Sequence, residues 1–160
     1  MVKDYRPGPV DGVIWKPLTQ FKDRRGWLVE LFRHDELPSE YHPTMCYMSM
    51  TEPGIARGPH EHADQADYFC FFGPSDFKVY LWDSRPQSPT YGNVEIRVVG
   101  ESAMFGLVVP AGVVHAYKNV GDKQGIVFNA PNRLYKGWGK KDPVDETRHE
   151  DDHSSPFQLN

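Results

Sequence analysis

Short apolar runs separated by turn-forming residues fill most of this sequence and restrict the folds open to it. From Val13 onward, runs rich in β-branched and aromatic residues are interrupted by Gly, Pro, Asp or Asn about every 8 to 15 residues. A sustained 3.6-residue period is absent, and only residues 34–40 suggest a helical turn. This pattern predicts an all-β fold, either a sandwich, a jelly roll or a barrel. The predicted strands lie near residues 13–20, 27–33, 44–51, 55–62, 66–72, 76–83, 94–99, 105–109, 113–120 and 124–130.

Length and composition predict one domain. The 160 residues, 39% of them hydrophobic, are enough to bury a core without disulfide bonds or structural metals. We expect this domain to span residues 1–160, beginning with a Pro- and Gly-rich arm at residues 1–12. Residues 136–160, here called the C-terminal tail, are polar and rich in turn residues. They predict a surface segment or a lid, with disorder at the end as the alternative.

The charge pattern gives no sign of a nucleic-acid or membrane partner. A formal net charge of −4 provides no basic field to attract polyanions or anionic lipids. The two cysteines form no CxxC pair, so a disulfide framework or a thiolate metal site is not expected. An apolar stretch of 18 residues and a signal-peptide-like run near Met1 are both absent. We therefore expect a cytoplasmic protein.

Three histidines are the first candidates for chemistry. His60 and His62 lie two residues apart in a predicted strand, and side chains at that spacing point to the same face. His115 follows in a similar setting of strand, tight turn and strand. These imidazoles could hold a metal ion, abstract a proton or fill space in the core, and spacing alone leaves the three possibilities open.

The surroundings of these histidines resemble the two signature motifs of the cupin superfamily, which are small jelly-roll β-barrels. The residues that carry the resemblance are Gly54, His60, His62, Asp67 and Gly73 in the first motif and Gly106, Pro110, Gly112, His115 and Asn119 in the second. The resemblance implies that the histidines and an acidic residue line the barrel interior. Its metal-binding alternative implies a divalent transition metal held by His60, His62, Asp67 and His115, which are chemically suitable ligands.

Four segments are more specific and resemble a single cupin family, the dTDP-4-dehydrorhamnose 3,5-epimerases. They are FKDRRGWLVELF at 21–32, ARGPH at 56–60, WDSRPQSPTYG at 82–92 and VPAGVVHAY at 109–117. The resemblance covers residues 13–135 and implies an isomerase of dTDP-rhamnose biosynthesis that works without a metal or other cofactor. The implied substrate is a dTDP-linked 4-keto-6-deoxyhexose, and the implied assembly is a homodimer.

The family resemblance also implies roles for individual residues. His60 matches the catalytic base, and His115 matches a second histidine near the sugar. Arg57 and Arg25 match arginines that bind the nucleotide diphosphate, for which guanidinium groups are well suited. The nucleotide end of the site is implied to include Glu30 and Phe21, on a segment exchanged between subunits. Tyr117, beside His115, is a further substrate-contact candidate.

Several positions depart from the family pattern. Counting from His115, the catalytic tyrosine falls at Phe128, and the lysine that supports the enolate falls at Asp67 or Tyr68. The chain is therefore identified as a divergent member lacking both groups. The residues that read the thymine end fall near Met45 and Tyr47. Substitute acids are Tyr117, Tyr135 and His62, and the carboxylate partner of His60 is expected among Asp142, Asp145 and Asp151.

Three other functions stay open from the sequence. RGPHEH at 57–62 also resembles the RG-x-HAH segment of sugar-nucleotide 3,4-ketoisomerases, in which two histidines move protons on one face. Such a reaction needs no acid on the opposite face, so Phe128 would not be a defect. The remaining alternatives are a metal-dependent cupin enzyme and a sugar-binding relative without catalytic activity.

Overall fold

The predicted all-β fold is confirmed by a computed structural model that describes residues 4–160. Its strands are β1 (Arg6–Pro7), β2 (Ile14–Pro17), β3 (Gln20–Asp23), β4 (Gly26–Val29), β5 (Tyr47–Thr51), β6 (Ala56–Glu61), β7 (Asp67–Phe71), β8 (Asp76–Asp83), β9 (Asn93–Gly100), β10 (Phe105–Val109), β11 (Val113–Asn119), β12 (Gly125–Asn129) and β13 (Thr147–Arg148). Single 3₁₀ turns occur at Ser39–Tyr41 and Trp138–Lys140. Among residues 4–160, no helix is long and apolar enough to cross a membrane.

Two sheets face each other as a jelly roll. One has the strand order β1-β9-β8-β11-β6-β13, the other has the order β2-β10-β7-β12-β5, and β3 and β4 form a separate hairpin. Between the sheets, the rings of Phe69, Phe71, Phe77 and Tyr117 pack with centroid separations of 5.6–6.1 Å. These aromatic side chains fill one end of the sandwich and leave the other end for polar groups.

Both sheets are also covered on their outer faces, which explains why central strands are apolar throughout. All five residues of β7 are buried, because its outward Tyr68 and Cys70 pack beneath Leu31, Phe32 and Leu37. A strand buried on both faces loses the alternation of polar and apolar residues. The end of the C-terminal tail covers the other sheet in the same way. Its buried Phe157 contacts Trp82 at a ring-centroid distance of 5.6 Å.

The observed strands differ from the predicted ones mainly near the chain ends. The predicted strand 13–20 is two strands, because β2 ends at Pro17, which lacks a backbone donor, and β3 starts at Gln20. The predicted strand 27–33 ends at Val29, since the chain then turns to cover β7. The helical turn predicted at 34–40 is confined to Ser39–Tyr41.

The two terminal segments are partly ordered as strands, which the sequence did not predict. Residues 1–3 of the predicted arm lie outside the described residues, and Arg6–Pro7 pairs in parallel with β9. In the C-terminal tail, Thr147–Arg148 pairs antiparallel with β6, the strand that carries His60. Two-residue strands without an apolar pattern leave no signal in a sequence.

A buried carboxylate organises the turn after β8. Asp83 has no exposed side-chain surface and accepts hydrogen bonds from Arg85 Nε at 2.9 Å, Thr90 Oγ1 at 2.6 Å and the Ser88 hydroxyl. Burial raises the pKa of Asp83, but the hydrogen bonds from Arg85, Ser88 and Thr90 outweigh it and lower that pKa to about 2. Thr90 Oγ1 also accepts from the backbone N–H of Asp11 at 2.8 Å, which ties the arm to the barrel.

Replacing Thr90 with valine should lower the free energy of unfolding by about 1–2 kcal/mol. Valine keeps the shape of threonine but removes one donor to the buried charge and the acceptor for Asp11. Urea denaturation measures the change, with the exposed Thr19→Val as a matched control. Equal stability of the two variants would contradict the assigned role of this hydroxyl.

Candidate active site

A cavity of about 1090 Å³ opens at the polar end of the sandwich. Its walls come from both sheets: Arg57, His60 and His62 lie on the β6 side, and Tyr47 and Ser49 lie on β5. Residues of the C-terminal tail form part of the rim, including Asp142, Pro143, Val144, Asp145, Glu146, Arg148 and Glu150.

The three histidines meet at the wall of this cavity, which His60 and His62 line, while His115 is buried behind them. His60 and His62 share one face of β6, and His60 pairs directly with His115 on β11. The ring centroids of His60 and His115 are 4.4 Å apart, and those of His62 and His115 are 5.8 Å apart. One ring nitrogen from each residue lies within 4.8 Å of the others. We call these three residues the histidine cluster.

Asp67 reaches the histidine cluster from the opposite sheet. It is 2% exposed, and its Oδ2 lies 3.2 Å from His62 Nε2 and 3.4 Å from His115 Nε2. Its other oxygen, Oδ1, accepts hydrogen bonds from Asn129 Nδ2 at 2.9 Å and from Gln65 Nε2 at 3.1 Å. One carboxylate oxygen is thus held by amides, while the other faces two imidazoles.

Burial and contact with one another shift the pKa values of His60, His62 and Asp67 in different directions. Burial lowers the pKa of His60 to about 2, and the neighbouring charges of His115 and His62 act in the same direction. Burial also lowers the pKa of His62, but hydrogen bonding to Asp67 and the charge of Asp67 outweigh it and raise the value to about 9. For Asp67, burial raises the pKa, while His115 and His62 hold it below its usual range. His60 is therefore neutral at physiological pH, with a lone pair on one ring nitrogen.

Tyr47 lines the cavity from β5, although the sequence did not point to it as an acid. Its hydroxyl accepts a hydrogen bond from Asn129 Nδ2 at 2.8 Å. Burial, and then the charge of Asp67, raises the pKa of Tyr47 to about 12, so its proton is retained. Phe128 instead packs on the outer side of the sheet, in the cluster beneath Leu37. The absence of a tyrosine at Phe128 is therefore not the loss of a cavity group.

The other substitute acids have different surroundings. Tyr117 is buried, and its hydroxyl pairs with Ser49 Oγ at 3.1 Å beside the cavity. Tyr135 lies at the rim with its side chain half exposed. His62 belongs to the histidine cluster and is not independent of Asp67.

The expected carboxylate partner of His60 is not found in the C-terminal tail. Within residues 4–160, no hydrogen bond joins His60 to Asp142, Asp145 or Asp151. Asp145 contacts His62 instead, through its backbone carbonyl, which accepts from Nδ1. Its carboxylate accepts the backbone N–H groups of residues 63, 64 and 65 at 2.8–2.9 Å. The sequence could not predict this contact with His62, because a backbone carbonyl is present at every residue whatever its side chain.

Three residues that were predicted to contact the substrate lie outside the cavity of their own chain. Phe21 is 56% exposed on the β3–β4 hairpin, and Arg25 pairs with Asp23 at the hairpin turn. Glu30 follows the hairpin and lies 3.8 Å from Arg33. The hairpin pairs with neither main sheet, and none of these three side chains lines the cavity.

The two facing sheets, antiparallel except for the β1–β9 pair, and the histidine cluster inside one end define a cupin-type jelly roll. Residues 7–141 match the family model described as dTDP-4-dehydrorhamnose 3,5-epimerase. The chain therefore belongs to this family of isomerases, as its signature segments indicated.

Known relatives agree with this assignment. The probable low-salt glycan biosynthesis epimerase Agl13 of Haloferax volcanii is 39% identical over 115 residues, which are 71% of this chain and 72% of the relative. The dTDP sugar isomerase of Desulfovibrio desulfuricans G20 has the same fold, with a TM-score of 0.80 and 22% identity over 93% of this chain and 91% of its own. ChmJ, a 3'-monoepimerase from Streptomyces bikiniensis solved in complex with dTDP-quinovose, gives a TM-score of 0.73 at 21% identity over 89% and 71% of the two chains.

Proposed function

We propose that this chain is a sugar-nucleotide epimerase that acts on a dTDP-linked 4-keto-6-deoxyhexose, in the cytoplasmic pathway to dTDP-rhamnose. The observation that carries the proposal is His60, a neutral and mostly buried imidazole on the wall of a cavity of about 1090 Å³. Family membership supports the reaction class. The ligand class is supported by ChmJ, which was solved with dTDP-quinovose.

The proposed chemistry begins with proton abstraction beside the keto group. Protons on the carbons that flank a carbonyl are acidic because the resulting charge is delocalised onto oxygen. His60 takes such a proton, and His62 and His115 lie beside it to contact that oxygen. Inversion then requires a proton from the other face of the sugar. Tyr47 is our candidate donor, because it retains its proton and lies on the opposing sheet.

Arg57 is the proposed diphosphate contact on the β6 wall. Its Nε donates to Thr51 Oγ1 at 3.0 Å, and one terminal nitrogen donates to the Met50 carbonyl at 2.8 Å. These bonds fix the guanidinium plane and leave other N–H donors for phosphate oxygens. Tyr117 lies next to this group across the strand pair.

We further propose that the remaining contacts come from a second copy of the chain. The β3–β4 hairpin exposes 56% of Phe21, 52% of Trp27 and 60% of Leu28, an apolar surface that dimerisation would cover. Insertion of this hairpin beside the partner's cavity would bring Arg25, Phe21 and Glu30 to the nucleotide end. Light scattering after size exclusion should give twice the chain mass, and a monomer that is active at the assay concentration would contradict this arrangement.

Replacing Arg57 with lysine should raise KM about tenfold and leave kcat within about twofold. Lysine keeps the charge but cannot hold two protein acceptors and a phosphate in one plane. Steady-state kinetics measure both parameters, with Arg97→Lys on β9 as the matched control outside the cavity. A change confined to kcat would instead assign Arg57 to the chemical step.

Incubation with dTDP-4-keto-6-deoxyglucose in deuterated water tests the proposed reaction. Deuterium at C3 and C5 of the sugar is the expected result of double epimerisation. Exchange at C3 with the carbonyl moved from C4 to C3 would establish a 3,4-ketoisomerase instead. That second candidate is favoured by one observation, namely that His60 and His62 share one face of β6. Binding without any exchange would overturn both enzymatic proposals.

A further inference from the structure

Asp145 in the C-terminal tail binds the turn that joins β6 to β7. Its carboxylate accepts the backbone N–H groups of Ala63, Asp64 and Gln65 at 2.8, 2.9 and 2.9 Å. Three consecutive backbone donors directed at one group form a site that favours an anion. Burial raises the pKa of Asp145, but the N–H groups of Asp64, Ala63 and Gln65 outweigh it and hold that pKa below its usual range. The side chain that holds the turn is therefore a charged carboxylate.

The same turn connects the two members of a charge pair. His62 precedes the turn, Asp67 follows it, and His62 Nε2 lies 3.2 Å from Asp67 Oδ2. The side chain of Gln65, within the turn, donates to Asp67 Oδ1 at 3.1 Å. At the other end of the turn, the backbone carbonyl of His62 accepts from the N–H of Gly112 at 2.7 Å. A shift of the turn would therefore change the separation of the two charges.

Asp145 also contacts the ring of His62 directly. Its backbone carbonyl pairs with His62 Nδ1, and a carbonyl oxygen can only accept a hydrogen bond, so Nδ1 carries a proton. The other ring nitrogen, Nε2, faces the carboxylate of Asp67, which is also an acceptor. Burial lowers the pKa of His62, but the contacts with Asp67 and with the Asp145 carbonyl raise it to about 9. With an acceptor at each nitrogen, the ring is a positively charged imidazolium at neutral pH.

The position of this charge matches a need of the proposed chemistry. Besides Asp67 and Asp145, the ionisable groups that face His62 are His60 and His115, whose ring centroids lie 5.6 and 5.8 Å from its own. When the neutral His60 removes a proton from carbon, negative charge develops on the adjacent carbonyl oxygen. A cation already held beside the base stabilises that oxygen without having to reorganise during the reaction.

We propose that Asp145 is a positioning residue for catalysis, which holds the β6–β7 turn with its carboxylate and the ring of His62 with its backbone carbonyl. Together, these contacts keep a positively charged His62 against Asp67 and beside His60. A single residue of the tail thus completes a charge pair whose two members lie on the barrel. The catalytic effect rests on the proposed reaction, whereas the effect of Asp145 on His62 does not.

Imidazole ¹⁵N spectra of the full-length protein test the positioning without any substrate. In the wild type, His62 should carry protons on both ring nitrogens at neutral pH. Asp145→Ala keeps the backbone carbonyl but removes the carboxylate that holds it in place, so the pKa of His62 should fall by at least about one unit. Asp145→Asn, which retains an oxygen acceptor of the same reach, should lower it less. Asp122→Ala, which removes an exposed carboxylate between β11 and β12, is the matched control and should leave it unchanged.

Steady-state kinetics separate positioning from a purely structural role. Asp145→Ala should lower kcat by about tenfold to a hundredfold with less than about a threefold change in KM, and the decline of kcat at high pH should move to lower pH. Asp145→Asn should recover most of kcat.

Two results would overturn the proposal. One is an unchanged pKa of His62 in Asp145→Ala. The other is a wild-type His62 with a single ring proton at neutral pH, which needs no variant to fold. The spectra require no turnover, so the positioning of His62 and the proposed reaction can fail independently.

Discussion

Replacing His60 with asparagine should reduce kcat for deuterium incorporation and for product formation by about 10³-fold. Asparagine retains a polar group of similar reach but cannot accept a proton at neutral pH. Because Arg57 is untouched, KM should change by less than about threefold. His153→Asn, an exposed histidine in the C-terminal tail, is the control for loss of an imidazole.

The two readouts separate catalysis from folding. Retained binding of dTDP by calorimetry, together with lost exchange, assigns His60 to the chemical step. A variant that still exchanges deuterium within tenfold of the wild-type rate would show that another group is the base. His62 would then be the next residue to test, since it shares the same face of β6.

Phe71→Ala should produce the largest loss of stability, about 3–5 kcal/mol. Phe71 is fully buried, and its ring centroid lies 5.6 Å from that of Phe77 and 5.7 Å from that of Tyr117. Truncation removes the ring that joins the two sheets and leaves a cavity among rigid aromatic neighbours. For a domain of this size, the melting temperature should fall by about 10 °C or more.

Urea denaturation and thermal melting measure this effect. Val120→Ala, at a position that is 47% exposed, is the control and should change stability by less than about 0.5 kcal/mol. A loss below about 1 kcal/mol for Phe71→Ala would mean that the core collapses around the missing ring. The ring that contacts His115 is that of Phe69, at a centroid distance of 5.5 Å, and Phe71→Ala leaves it in place. Activity at low temperature should therefore fall less than stability does.

The parts of the site that depend on local geometry could be predicted from the sequence. The two-residue spacing of His60 and His62 predicts their common face, and the tight turn before β11 marked His115 as a third candidate. That His115 pairs with His60 depends on strand order, and no local pattern encodes it. Asp67 was a candidate only through the cupin motif, and it contacts two of the histidines from the opposite sheet.

Other parts of the site depend on strand register and on backbone contacts. Counting from His115 puts the family's catalytic tyrosine at Phe128, and a shift of one residue in that count would move the side chain to the other face of the strand. Asn129, its neighbour, lies in the interior between the sheets, where its Nδ2 donates to Tyr47 and to Asp67. Within residues 4–160, no tail carboxylate bonds His60. Asp145, one of the three predicted partners, instead orients His62 through its backbone carbonyl.

Strand β13, which pairs with β6, lies beyond the residues that match the family model. The match to the family model ends at residue 141, whereas residues of the segment 142–150 form part of the rim of the cavity and hold His62 through Asp145. Exchange of this short segment would reshape the entrance without altering any strand of the five-stranded sheet. Substitutions in this segment could therefore change which ligand enters the cavity while the strands that form the core of the barrel stay the same.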